Sequence, residues 1–157
     1  MEAALQVSGL TKRYGARTAV DTLDLKVEVG DVYGFLGPNG AGKTTAMRCI
    51  LGLIPYDQGD VRLFGKQGLE GREGVGAVVE TPAFHDWMSG IANLKHAGWY
   101  CGLSGAALDR EIARVLDRVG LAERGKDRAG TYSLGMRQRL GIARALLGQP
   151  RMLFLDE

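Results

Sequence analysis

The residues best equipped for chemistry are Gly37 to Thr44, GPNGAGKT, which follow the apolar run Val32–Leu36. Glycines at Gly37, Gly40 and Gly42 let backbone N–H groups converge on anionic oxygens with no Cβ in the way. A helix expected to begin near Lys43 adds the positive end of its dipole at the same place. A triphosphate has the charge density that such a loop suits. Lys43 brings a full positive charge to the β- and γ-phosphates, Thr44 a hydroxyl for Mg²⁺, and Thr45 a further donor. The pattern predicts a nucleotide site made of Gly37, Pro38, Asn39, Gly40, Ala41, Gly42, Lys43, Thr44 and Thr45.

Such a loop works only between a strand and a helix, so the elements around it matter. Short β-branched or alternating runs bounded by Gly, Asp or Pro predict strands at Leu5–Val7, Leu23–Val29, Val32–Leu36, Val61–Phe64, Val75–Val79 and Met152–Leu155. The first two alternate, as half-exposed antiparallel strands do. Val32–Leu36 and Met152–Leu155 are continuously apolar, as parallel strands buried on both faces are. Helical stripes follow at Met47, Ile50, Leu51 and Ile54, with Gly52 pointing to an end before Ile54, and at Leu108, Ile112, Val115, Leu116 and Val119, closed by Gly120. Ile91 to Cys101 is read as helical. A further helix carries Met136, Leu140, Ala143 and Leu147 between an N-cap at Ser133 and the stop Gly148–Pro150. The expectation is an α/β fold with a mainly parallel core sheet, an N-terminal antiparallel part and a helical insert over about 88–130.

Twenty Lys+Arg against 18 Asp+Glu give a formal net charge of +2 over 157 residues, with 45% hydrophobic and 24% charged. This is an ordinary globular composition, one domain in length. The near-balance gives no electrostatic footprint for nucleic acid. No apolar run reaches the roughly 18–20 residues that span a bilayer. The start, MEAALQVSGLTKRYG, has no basic flank followed by an apolar run. A cytoplasmic protein is expected. Cys49 and Cys101 form no CxxC and read as thiols in a reducing compartment. His85 and His96 lack metal-ligand spacing.

Three further stretches resemble the nucleotide-binding domain of ABC transporters. Tyr132–Leu140, YSLGMRQRL, looks like the signature motif, whose usual core is LSGGQ. Ser133 and Gly135 match it, whereas Tyr132, Leu134 and Met136 depart. Read alone the stretch is a capped amphipathic helix. In the family a Ser hydroxyl, a Gly amide and a helix N-terminus receive the γ-phosphate of ATP held by an opposing domain, which implies a head-to-tail dimer. Met152–Glu157, MLFLDE, resembles the Walker B strand. Its carboxylates imply Mg²⁺ held through water by Asp156 and a general base at Glu157. Tyr14, in LTKRYG, sits where the family places an aromatic to stack on adenine; as a strand-end tyrosine at a turn it also has a plain structural reading.

Pro55–Gly65 also resembles the family, so the likeness runs through essentially the whole chain. It implies a P-loop NTPase fold and a partial ABC ATPase domain over 1–157. Residues 88–130 together with the signature helix 133–148 form its helical subdomain. It further implies ATP and Mg²⁺ as ligands, with Lys43, Glu80 and Glu157 catalytic and Thr44, Asp156 and Glu80 at the metal. Hydrolysis would drive cargo through a separate membrane permease, with this subunit peripheral on the inner face. No heptad run separates Thr45 from Ser133, so a DNA-repair type with a coiled coil is not indicated. Glu80 stands where most ABC ATPases have Gln, a substitution similar to that in bacitracin-resistance and lantibiotic-immunity exporters. It points to export of a peptide antibiotic or related small molecule, or is a tolerated variant. Thr81–Gly90, with Phe84, Trp87 and Met88, reads either as a docking surface for the permease or as packing for the helical insert. The family's later strands and switch histidine would lie after Glu157 and are not among these residues. This leaves a second reading, an ATP-binding module without turnover.

Overall fold

A computed structural model describes residues 3–80 and 83–156. The chain forms two units, Met1–Glu73 and Gly74–Glu157.

In the first unit, β1 (Ala3–Tyr14) and β2 (Arg17–Glu28) form an antiparallel hairpin, and β3 (Gln58–Leu63) pairs with the other edge of β1, giving the order β2-β1-β3. Gly15, at φ 57°, supplies the left-handed residue of the turn closing the Tyr14–Arg17 pair. One face of β1 buries Leu5, Val7 and Leu10. Helix α1 (Lys43–Ile50) packs on β1 and β2 with Ala46, Met47, Cys49 and Ile50 buried. It ends at Leu51, and Gly52 turns the chain at φ 68°, as the sequence predicts. The short helix α2 (Gly68–Arg72) was not expected: five residues carry no readable period.

Val32–Leu36 is the fold's main departure from expectation. It is not a strand, and Val32 and Leu36 are exposed at 102% and 91%. Apolar β-branched composition fits a strand but does not make one. A strand exists through its ladder, and among the described residues no strand pairs with this segment. The parallel part of the sheet is therefore two strands, smaller than predicted.

Those two strands lie in the second unit. β4 (Val75–Val78) and β5 (Met152–Leu155) run parallel, in register from Val75–Met152 to Val78–Leu155, but β5 is not buried on both faces as expected: Leu153 and Leu155 are exposed, because apolar composition does not itself supply a covering layer. Helices α3 (Gly90–Tyr100), α4 (Gly105–Arg118) and α5 (Leu134–Ala145) bury one cluster in which Leu94, Val115 and Leu140 have almost no exposure. Ser89 caps α3 by accepting from the Ala92 N–H at 3.1 Å. Gly76 lets β4 lie against the end of α5, since a Cβ there would overlap the Ala145 carbonyl.

A polar tie joins α4 to the C-terminal end of α5. Arg114 donates to both Glu111 carboxylate oxygens at 2.9 and 2.6 Å and to the Leu146 carbonyl at 2.9 Å. Glu111, buried, also accepts from the Gly148 N–H at 3.1 Å. Arg114 holds the Glu111 carboxyl below its ordinary value of 4.5, against the upward push of burial. Its stabilisation is complete above about pH 4.5, where the unfolded chain's carboxyl is ionised as well, and is lost as pH falls through the lower folded value. We expect Glu111→Ala to cost about 2 kcal/mol in urea unfolding at pH 7. The stability gap between wild type and Glu111→Gln should narrow below about pH 4.5; a gap that does not change with pH would remove the tie from the account.

Candidate functional site

The phosphate loop grows out of the contact between the hairpin and α1. Gly42 is the N-cap of α1 at φ 91°, and its missing Cβ would overlap the Ala19 carbonyl of β2. Glycine is thus required twice, for conformation and for space. Gly40 is also left-handed, at φ 83°, with nothing beside its Cβ position. The turn between them closes by the Ala41 N–H donating to the Pro38 carbonyl at 3.1 Å. The Ala46 N–H bonds the Gly42 carbonyl at 2.8 Å. The N–H groups of Lys43, Thr44 and Thr45 come before that first bond and have no acceptor within the helix. Lys43 does not extend into solvent: its Nζ donates to the carbonyls of Gly37 at 2.7 Å and Pro38 at 3.0 Å. An ammonium held on two neutral carbonyls can exchange them for phosphate oxygens, which form stronger, charge-assisted bonds. Loop, dipole, ammonium and the Thr44 and Thr45 hydroxyls make a donor set suited to a triphosphate.

Tyr14 stands at the end of β1, 51% exposed, with the Lys12 ammonium 5.1 Å from its ring centroid. Lys12 is itself buried and lies 4.0 Å from the Asp57 carboxylate. Asp57 accepts from the Arg13 N–H at 2.6 Å, and its own N–H donates to the Thr11 carbonyl at 2.9 Å. Burial pushes the Cys49 thiol on α1 above its ordinary range, with Lys12 acting in the opposite direction.

In the second unit, Ser133 caps α5 by accepting from the Met136 N–H at 3.3 Å. Ser133, Leu134 and Gly135 are exposed at that helix start, with open space beside Gly135. Tyr132, one of the departures from LSGGQ, is buried and donates its hydroxyl to the Arg124 carbonyl at 2.6 Å. Glu80 and Asp156 both leave the C-terminal end of the β4–β5 pair, where open parallel sheets bind ligands. Asp156 is buried, and its N–H donates to the Val78 carbonyl at 2.9 Å. Glu80 adopts φ 62°, uncommon for a residue with a Cβ and shared here with Thr22, Phe64 and Gln149. Glu157, the expected general base, lies outside the described residues, as do Thr81 and Pro82. Among the described residues no three His, Cys, Asp or Glu side chains converge on a metal position.

Sequence reading missed the residues that hold the segment after Glu80. Arg144 donates to the Ala83 carbonyl at 3.1 Å and covers the Phe84 ring at 5.3 Å, and burial lowers its pKa. Arg137 pairs with Asp86 at 2.7 Å. Asn93 accepts from the His85 N–H at 2.9 Å and donates to the carbonyls of His85 and Ser89 at 3.1 and 3.0 Å. Arg137 and Arg144 stand seven residues apart on one face of α5, a spacing that could have flagged them. A cavity of about 350 Å³ opens here, lined by Phe84, His85, His96, Tyr100 and Arg144 among others.

A glycine loop closed by a lysine at a helix start defines the class as a P-loop nucleotide-binding protein of α/β architecture. The family pattern of ABC transporters matches residues 20–157, and the chain belongs to that family. It is 42% identical over 161 residues to the bacitracin transport ATP-binding protein BcrA of Bacillus licheniformis, covering all of this chain and 52% of that one. Identity is 36% over 157 residues with the linearmycin resistance ATP-binding protein LnrL of Bacillus subtilis, covering 98% and 50%. A solved ATP-binding subunit of an ABC transporter superposes with a TM-score of 0.86 at 28% identity, covering 98% of this chain and 66% of that one. The chain thus spans about half the length of the curated relatives it matches.

Gly42→Ala should destabilise the first unit by about 2 kcal/mol or more, since strain and overlap act together. Thermal unfolding measures this; an unchanged midpoint would mean the hairpin does not press on the loop.

Proposed function

We propose that this chain is the ATP-binding part of an ABC ATPase subunit that drives cargo outward through a separate membrane permease. The observation that carries the reading is Lys43 arched over the carbonyls of Gly37 and Pro38 at the start of α1. Lys43 and the N–H groups of Lys43, Thr44 and Thr45 bind the β- and γ-phosphates and hold the charge that moves onto them during in-line attack by water. Tyr14 takes the adenine. Thr44 and Asp156 hold Mg²⁺, with Glu80 as a further acceptor; when bound, the ion neutralises phosphate charge. Glu157 accepts the proton of the attacking water. Ser133 and Gly135, at an exposed helix start, serve the nucleotide of a second ABC domain in a head-to-tail dimer.

The segment 83–90, held by Arg137, Arg144 and Asn93, is the docking surface for the permease. Trp87 is 68% exposed there and lies against His85, with centroids 4.8 Å apart. A rigid backbone carrying an exposed aromatic suits an interface core. No helix among the described residues is long and apolar enough to cross a membrane. In this reading the subunit is peripheral, on the inner face of the membrane, and relies on the permease to span it. Glu80, and relatives named for bacitracin transport and linearmycin resistance, favour a peptide-antibiotic or related small-molecule cargo.

Lys43→Ala should weaken Mg²⁺-ATP binding by about a hundredfold or more in calorimetry, the loss of charge-assisted bonds worth about 3 kcal/mol. Unchanged affinity would sink the assignment. In a form of the protein that hydrolyses ATP, Glu80→Gln should leave ATP affinity alone and change the hydrolysis rate or its coupling to transport; if neither moves, Glu80 has no special role.

A further inference from the structure

Tyr14 is half exposed at the end of β1. A cation lies over its ring: the Lys12 ammonium is 5.1 Å from the ring centroid. Lys12 is 9% exposed, an unusual burial for lysine, and its counter-ion Asp57 is 4.0 Å away. Asp57 also fixes the strand beside the ring through the Arg13 N–H at 2.6 Å. A surface lysine would snorkel to water; this one is kept beneath an aromatic ring.

We propose that Lys12 is a positioning residue for base recognition, its ammonium backing Tyr14 so that the ring's open face is fixed and polarised for a purine. This rests on the reading of Tyr14 as the adenine-stacking residue. A cation on one face draws π-density toward itself and orients the ring. The outer face, depleted of density, then stacks on an electron-rich purine. Asp57 holds the buried ammonium in place as its counter-ion, so charge, ring and base form one stack. The triphosphate is held elsewhere, on the loop, and takes no part in it.

The test separates base from phosphate. Binding of Mg²⁺-ATP and of inorganic tripolyphosphate is measured by calorimetry on the 157-residue protein and its variants, with circular dichroism as the check of folding. Tyr14→Ala should weaken ATP about fivefold and leave tripolyphosphate unchanged. Lys12→Met keeps the stem without the charge and should weaken ATP about threefold, again sparing tripolyphosphate. Lys12→Arg retains a cation and should restore the wild-type ratio. In a Tyr14→Ala background, Lys12→Met should have no further effect on ATP. Equal loss for both ligands, or additive losses in the double variant, would overturn the role given to Lys12. If Tyr14→Ala itself leaves ATP binding unchanged, the stacking reading fails, and the role of Lys12 fails with it.

Discussion

An ammonium kept ready over a glycine loop is the interaction on which the first unit turns. Lys43 must be close enough to reach several phosphate oxygens, and the loop must offer backbone rather than side chains. Both conditions depend on where α1 starts. That start is fixed by Gly42, whose bare Cα lies against the Ala19 carbonyl of the hairpin. The hairpin thus does two jobs: β2 sets the origin of the phosphate helix, and the end of β1 presents Tyr14. The buried residues of β1 and α1 hold these two ends in one body, which in the proposed reading preorganises them for a ligand with a ring and a charged tail.

In the second unit α5 has the corresponding place. Its N-terminus is capped by Ser133 and left open. Arg137 and Arg144, on one face, grip the segment after Glu80. Its C-terminal end is tied to α4 through Arg114 and Glu111, and the chain then turns at Gly148 and Gln149 into β5 and Asp156. One helix therefore links a candidate phosphate site, a candidate docking surface and a strand-end carboxylate.

Local chemistry was legible in the sequence; pairing and long-range ties were not. The loop Gly37–Thr45, the cap at Ser133, the stops at Gly52, Gly120 and Gly148 and the strand Met152–Leu155 all follow from short spacings read directly. Val32–Leu36 misled because apolar composition reports what a segment can tolerate, while a strand also needs a neighbour. The contacts of Lys12 with Asp57, Arg144 with Ala83 and Glu111 with Gly148 join residues by way of the fold. Lys12 lies two positions from Tyr14, a spacing that singles out nothing; only its burial marks it. Tyr132 was read as a departure from a motif, and its hydroxyl bond to the Arg124 carbonyl explains why an aromatic fits there.

The most direct test of the central claim is a titration of the isotopically labelled protein with Mg²⁺-ATP, followed through its backbone amide resonances. The account predicts saturable shifts of the Gly40, Gly42, Lys43, Thr44 and Thr45 amides, with the largest where N–H groups meet phosphate. Absence of saturable shifts in this loop, or binding that perturbs other residues and leaves these still, would contradict it.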